Sequence, residues 1–531
     1  MAVPRRVREN PNPLAGRPAA VSVASREKEE TQMTSSQSSE SARALPGVSG
    51  MSLYVPALRI DLEQWCGWTN NSWDKIQAVV GKSFRVPGPH ENVYTMAANA
   101  VLRLIEAYEI DPSEVGFLGL GTESSTDNAA GAVIVRGMVD RALERLGRRR
   151  LSRNLEVPEF KHACLGGIYA LKNAVRYIRT DGAGRKAIVV CSDIAEYERG
   201  STGEQTQGAG AVAFLIEDEA RLFTLDLDKS GSASDYRGPD FRKPFARHWR
   251  DPYARTGDRI ADFPVFSGPY STFSYLDGTV HAVEEMLRRL DVSAGRYYSD
   301  VRALFFHRPY QQMPVQAMSF LYARGLARGD HHHDELRRLC AEAKVEYDDV
   351  LRETESSPDL YGTLLEDGPS NPYAATSAVA SLLRKKSSFR ELLESKMSLG
   401  DDVVRDLGNL YSAALPAWLA AGFEDARERD VELIDRPMVA VGYGSGDAAE
   451  AMPLAAAPGW REAAARIGAR RALAGAIDLS REQYEALHDG REVDGLEPPR
   501  PGTFAISRVG ETHEPAFQDL AVEYYEFVHQ G

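Results

Sequence analysis

Val115-Gly-Phe-Leu-Gly-Leu-Gly121 runs straight into Thr122-Glu123-Ser124-Ser125. An apolar run of this length, with small residues where backbones must pack closely, reads as a buried strand ending at an acidic residue. Lys186-Ala-Ile-Val-Val-Cys-Ser-Asp193 and Ala209-Gly-Ala-Val-Ala-Phe-Leu-Ile216 read the same way. Between the first two strands, Ile168, Leu171, Val175 and Ile178 recur at helical spacing over Gly167–Ile178. Continuous apolar strands alternating with helices predict an α/β fold whose sheet is covered on both faces. A weak internal repeat extends this plan. Ser113-Glu-Val-Gly-Phe-Leu-Gly-Leu lies over Ser299-Asp-Val-Arg-Ala-Leu-Phe-Phe, and each segment leads to a candidate reactive side chain, Glu123 or His307.

Bulk properties narrow the function. A chain of 531 residues with 43% hydrophobic residues can bury a large core, and more than one compact unit is the default expectation. The net charge of −14 argues against a nucleic-acid binder and against docking on anionic lipid. A local basic pocket for an anionic small substrate remains compatible with it. Cys66, Cys164, Cys191 and Cys340 are far apart with no CxxC pair, which fits reduced thiols in a cytoplasmic protein and neither a zinc site nor a disulfide framework. No apolar run reaches membrane-spanning length, and the basic opening (Arg5, Arg6, Arg8) lacks the apolar core of a secretory signal. Residues 1–48, centred on TQMTSSQSSESARA, are too polar to bury enough surface and are expected to be a disordered extension, with ordered sequence beginning near Met51.

The sharpest local feature is Phe160-Lys-His-Ala-Cys164-Leu-Gly-Gly-Ile168. A cysteine on a tight turn opening a helix is placed to act as a nucleophile, and the glycines leave room for a thioester to approach the backbone. Cys191, inside a strand, reads as structural. Acyl chemistry needs partners for the thiol. Glu123, at the exit of a buried strand, is a candidate base if partly desolvated. His307, after Leu304-Phe-Phe, is a candidate to bond a substrate carbonyl. Gly408-Asn409-Leu-Tyr411-Ser opens a helix containing Leu415 and Trp418, and Gly442-Tyr-Gly444-Ser445-Gly446 follows the strand Met438-Val-Ala-Val, where a loop can present N–H groups to an oxyanion or phosphate. His331-His-His333 sits among charged residues and reads as a solvated loop.

Taken in order, Glu123 in GTES, Cys164 in HACLGG, His307 in FFHRPY, Asn409 in GNLYS and Ser445 in YGSG resemble the motifs of the 3-hydroxy-3-methylglutaryl-CoA synthases, over roughly residues 50 to 450. Ser192-Asp193-Ile-Ala, Thr206 with Gly208-Ala-Gly-Ala-Val, and Asp240-Phe-Arg-Lys-Pro also resemble segments of that family. The resemblance implies a thiolase-like fold, two related βαβαβ-type halves in an α/β/α/β/α arrangement, and a homodimer. The chain is divided into 49–290 for the first half and 291–455 for the second; the charged, helical pattern of about 326–400 reads as a helical insertion, and the Ala- and Arg-rich, then polar, composition of 456–531 reads as a peripheral segment of helices plus an edge strand at Gly502-Thr-Phe-Ala-Ile-Ser. The resemblance further implies that Cys164 takes acetyl from acetyl-CoA, Glu123 removes a methyl proton, and His307 binds and polarises acetoacetyl-CoA. Asp193, Thr206, Asp240, Asn409, Tyr411 and Ser445 would bind substrate and Arg308 would hold CoA. No metal or redox cofactor is implied.

The sequence departs from the family pattern in three places. Leu165 stands where a tyrosine commonly follows the nucleophile, Gln312 and Gln316 stand where lysines are common, and Ser267-Gly268 replaces an Asp-Gly. Losing those lysines weakens the expected grip on CoA phosphates, unless Arg308 or Arg242 substitutes. Relatives that install β-branches on polyketides use acyl groups held on an acyl carrier protein, so such a carrier is a second candidate partner, with Arg148-Arg-Arg150 as a candidate basic docking patch. A third reading is an inactive thiolase-fold acyl binder.

Overall fold

The computed structural model describes residues 45–243, 263–329 and 332–529. The first strand, β1 (Gly47–Tyr54), begins ahead of Met51, so ordered structure starts earlier than the polar tail suggested. Its glycines carry no apolar signal, but Gly50 is needed, since a Cβ there would lie 2.5 Å from the Tyr108 ring.

In the first half, β2 (Val115–Gly121), β3 (Glu159–Phe160), β4 (Lys186–Ala195) and β5 (Gly208–Glu217) join β1. The short strands β6 (Phe223–Leu225) and β7 (Gly231–Ser234) come next, and β8 (Ala303–Phe306), β9 (Met438–Gly444) and β10 (Ala448–Ala456) follow them. They form one sheet in the order β8-β9-β10-β6-β1-β5-β4-β2-β3, with β7 also pairing β10. The repeat seen in the sequence is a repeat of pairing. β2 runs parallel to β4, which is antiparallel to β5, and β8 runs parallel to β9, which is antiparallel to β10.

The helices complete the layers. α1 (Val93–Ala107) packs on β1, β4 and β5, and α2 (Gly131–Arg145) packs on α1 and β2. α3 (Gly166–Arg179) lies on β2 and β4, while α6 (Ala414–Glu428) lies on β8 and β9. α4 (Pro269–Leu290) covers β7, β9 and β10 and meets α5 (Gln312–Arg328). The apolar side chains of all these elements merge into one large core.

Glycine decides how closely α3 approaches the sheet. A Cβ on Gly121 would sit 2.3 Å from the Gly167 Cα, and one on Gly167 would sit 2.4 Å from the Cys191 Sγ. The Gly166-Gly167 pair therefore serves helix-on-sheet packing, a correction to its reading as space for substrate. A buried ion pair ties the halves together: Lys172 of α3 reaches Glu450 of β10 at 2.5 Å, with both side chains almost fully covered. Ser232 donates to the same carboxylate at 2.8 Å.

The helical excursion begins at Gln312, earlier than the charge pattern indicated, and continues through five helices from His333–Ala343 to Ser387–Met397. His331 lies outside the described residues. His333 is not in a solvated loop: it opens a helix, and its Nδ1 lies 2.6 Å from the Tyr347 hydroxyl. Among the described residues no group of His, Cys, Asp and Glu is arranged to hold a metal ion. The segment after 456 is not merely peripheral. Ile477–Asp478 pairs with Leu58–Arg59, and the His488 Nε2–H donates to the Tyr197 carbonyl at 2.7 Å. The expected edge strand is present as β11 (Phe504–Val509), paired with β12 (Glu523–Phe527).

Candidate active site

Parallel strands bring their C-terminal ends to one edge, and the helices that follow start there. β2 exits into Glu123 and β8 into His307. Cys164 stands two residues before α3, and Asn409 and Tyr411 stand just before α6. Residues far apart in sequence thus converge on a cavity of about 390 Å³ lined by Cys164, Thr206, Asp240, His307, Asn409, Tyr411 and Ser445.

The candidate nucleophile Cys164 is constrained. Ala163, immediately before Cys164, adopts φ 42°, a left-handed conformation that is costly for a residue with a Cβ. Leu165 and Gly166 turn their N–H groups onto the carbonyls of His162 and Ala163 at 2.9 and 3.3 Å, so these donors are already used within the turn. The Cys164 Sγ donates to Glu123 Oε2 at 3.1 Å. Burial raises the thiol pKa well above its ordinary value, and the neighbouring Glu123 raises it further. Burial, aided by the charge of Asp193, also pushes the Glu123 carboxyl up to about 8. The resting pair holds its protons.

Asp193 corrects an expectation. Its side chain is fully buried and lines no part of the cavity. Oδ1 accepts from the Thr122 hydroxyl at 2.9 Å, from the Glu123 and Ser124 N–H groups at 2.8 Å each, and from the Ser124 hydroxyl at 2.6 Å. Oδ2 accepts from the N–H of Ser412 at 2.9 Å and from its hydroxyl. Asp193 therefore fixes the Glu123 backbone and pins it to the start of α6. Burial raises its pKa, and these donors work against that rise.

His307 is buried, and its N–H donates to the Val441 carbonyl at 2.7 Å. Burial lowers its pKa to about 3, so the imidazole is neutral at physiological pH. Its Nδ1 has no partner among the described residues. Asp240 accepts from the Tyr443 hydroxyl at 2.8 Å and from the Gly446 N–H at 3.2 Å, which holds the Ser445 loop against the cavity and uses one of the loop donors expected for an anion. Thr206 donates its hydroxyl to the Gly203 carbonyl at 2.7 Å and accepts the Asn409 N–H at 3.0 Å. The Asn409 Oδ1 in turn accepts the Tyr411 N–H at 2.9 Å, and Tyr411 is itself left-handed at φ 44°.

Arg308 is the second correction. Its guanidinium is buried, bonded to Asp401 at 2.7 Å and stacked over Trp418 at 4.9 Å, so it lines other cavities and not the one at Cys164. Arg242 bonds the Asp240 carbonyl at 3.2 Å and also lies off the lining. Gln316 does line the cavity. Among the described residues no lysine or arginine does. Arg148–Arg150 sits beside Asp111, Asp140 and Glu144, at the end of β2 opposite Glu123. That position removes it as a docking patch for this cavity. Leu165 is fully buried against Gly442 and Gly444 and does not face the cavity.

The residue-by-residue reading missed the aromatic wall. Tyr197, Phe241 and Tyr411 meet edge to face with centroids 5.9 to 6.4 Å apart and enclose Cys164. Tyr443 and Tyr310 complete the lining. Tyr411, Phe241 and Tyr443 lie within motifs already singled out, but only Tyr411 stood as a site residue, and Tyr197 lies in none of them.

The geometry agrees with similarity to known proteins. Residues 44–221 match the model of the hydroxymethylglutaryl-coenzyme A synthase N-terminal domain. The hydroxymethylglutaryl-CoA synthase of Haloferax volcanii is 25% identical over 465 residues, covering 83% of this chain and 91% of the relative. Over most of its length the chain is similar to hydroxymethylglutaryl-CoA synthases. Solved structures extend the likeness of fold. MvaS in complex with 3-hydroxy-3-methylglutaryl coenzyme A superposes with a TM-score of 0.70 at 23% identity, covering 92% of this chain and all of the other. The curacin-pathway HMG synthase in complex with an acetyl donor carrier protein superposes with a TM-score of 0.63 at 20% identity, covering 91% and 100%. The fold is thiolase-like, with Cys164 at the cavity where the converging elements meet.

Proposed function

We propose that this condensing acyltransferase carries acetyl on Cys164 and joins it to the 3-keto carbon of a β-ketoacyl thioester, with acetyl-CoA and acetoacetyl-CoA giving 3-hydroxy-3-methylglutaryl-CoA. The observation that carries this reading is the 3.1 Å contact between the Cys164 thiol and a carboxyl held near pH 8. In its ionised form, which gains population as the pH approaches 8, Glu123 takes the thiol proton as Sγ attacks the acetyl thioester and hands it to the departing sulfur, so that CoA leaves as its thiol and Glu123 is again a carboxylate. It then stands beside the acetyl methyl and removes a proton, and a carboxylate with so high a pKa is a stronger base than an ordinary one. The enolate attacks the keto carbon, whose oxygen is bonded by neutral His307, and water then cleaves the Cys164 thioester. Asn409, Tyr411, Thr206 and Ser445 shape the acceptor site, while Asp193 and Asp240 position the groups that act. Every step is an acyl transfer, a proton transfer or a carbonyl addition, so we assign no electron carrier or metal. We assign the enzyme to the cytoplasm as a homodimer; the four unpaired cysteines fit a reducing compartment.

A second reading is favoured by one feature: the absence of cationic side chains among the described lining residues. An acyl group delivered by a carrier protein asks less of the site for phosphate binding than free CoA does. The test is CoA release from acetyl-CoA plus acetoacetyl-CoA in wild type and Cys164→Ala, with mass spectrometry of Cys164 after exposure to acetyl-CoA or to an acetylated carrier protein. Labelling by the carrier alone selects the second reading. Labelling by neither refutes both.

A further inference from the structure

A second cavity, of about 340 Å³, lies away from Cys164 between the end of β1 and the C-terminal segment. Its apolar floor includes Leu53, Val55, Leu58, Ile467 and Leu496, and Arg103, Arg466, Arg471 and Arg500 stand on its walls. None of its lining residues is shared with the cavity at Cys164. The chain as a whole is acidic, so this concentration of cations is local.

The arginines are held and largely unneutralised. Arg103 donates to the Leu53 carbonyl at 2.9 Å and lies 4.7 Å over the Tyr54 ring, and Arg500 donates to the Gly475 carbonyl at 2.8 Å. Each tether uses one nitrogen of a five-donor fork. Arg466 bonds the Ala107 carbonyl at 3.1 Å and has Glu109 at 3.7 Å. Arg103, Arg471 and Arg500 form no ion pair among the described residues. Of the two acids on the wall, Glu91 is taken by the Tyr54 hydroxyl and the Gly88 N–H. Burial lowers the pKa of Arg103, and the charges of Arg471 and Arg500 add to that effect, so the three groups repel one another.

We propose that this cavity is a binding site for a small phosphate ester, with Arg103, Arg471 and Arg500 gripping the phosphate and the apolar floor taking the organic part. Guanidinium forks match phosphate oxygens two at a time, and an anion removes the mutual repulsion of the three cations. A cleft lined by both guanidinium groups and apolar side chains suits an amphipathic ligand better than a bare ion.

The test uses the full-length protein, titrated calorimetrically with inorganic pyrophosphate and with adenosine diphosphate. We expect both to bind the wild type and the nucleotide to bind more tightly. Arg471→Ala and Arg500→Ala should each weaken binding about tenfold, with unchanged melting in the absence of ligand, since both side chains are exposed. Neither probe should slow alkylation of Cys164 by iodoacetamide, followed by mass spectrometry, which separates this site from the cavity that Cys164 lines. No heat with wild type, or equal affinity in wild type and both arginine variants, overturns the proposal. Protection of Cys164 by either probe would place the ligand at the other cavity and overturn it too.

Discussion

The N-terminal turns of α3 and α6 occupy matching places in the two halves, yet they carry different chemistry. α3 follows the parallel strand β3 and α6 closes the helical excursion after β8, and each is preceded by a left-handed residue with a side chain, Ala163 in one and Tyr411 in the other. The first half presents a thiol and a carboxyl, the second an amide and an imidazole. Burial acts on both with opposite sign. It raises the pKa of Glu123 to about 8 and lowers that of His307 to about 3, because the charged form is deprotonated in one and protonated in the other. At neutral pH both groups are predominantly uncharged. One half is loaded with a proton to exchange, and the other offers a hydrogen bond that does not depend on pH. In the proposed reaction the same scaffold and the same desolvation divide proton transfer from carbonyl recognition.

The largest effect expected from breaking this division is on the thiol. Cys164→Ala should abolish acyl-enzyme formation and condensation, checked by mass spectrometry and CoA release. Next, Glu123→Gln should cut condensation about 10³-fold while slowing acylation only about tenfold, measured in single turnover. Wild-type condensation should rise with pH toward about 8 as Glu123 ionises, and that limb should vanish in the variant. His307→Ala should lower condensation about 10²-fold and leave acylation and the pH limb intact. A shifted limb in that variant would show that the halves do not divide the work. Lys172→Ala, which leaves Glu450 buried and unpaired, should destabilise the fold by about 3–5 kcal/mol, read from denaturant melts. The smallest effect concerns stability and pH. A carboxyl raised from 4.5 to about 8 on folding stabilises fully only below the lower value, and that contribution is lost as pH rises between the two. Glu123→Gln should therefore gain melting temperature relative to wild type as pH goes from 5 to 8, by about 3 °C.

Much of this was legible in the sequence where one residue type does one job. Apolar runs gave β2, β4 and β5 because a strand covered on both faces tolerates little else. Cys164, Glu123 and His307 stood out because each closes such a run or opens a helix. Asp193 and Arg308 were misread because a polar side chain beside a site has the same letters whether it faces substrate or the interior. Only the donors around Asp193 and the Asp401 partner of Arg308 decide which. The glycines after Cys164 were assigned to substrate because the strand they pack against is distant in sequence. The wall of Tyr197, Phe241 and Tyr411 comes from three separate segments and has no spacing to detect.

Asp193 has a consequence for how the molecule can be divided. Its carboxylate receives Thr122, Glu123 and Ser124 from one half and Ser412 from the other. Expressed as two fragments cut between the halves, neither piece would be a self-sufficient module. Each would expose an acidic or basic group with its partner on the other fragment. Fragment complementation should then be all or none, with restored melting cooperativity and restored acylation appearing together at one mixing ratio.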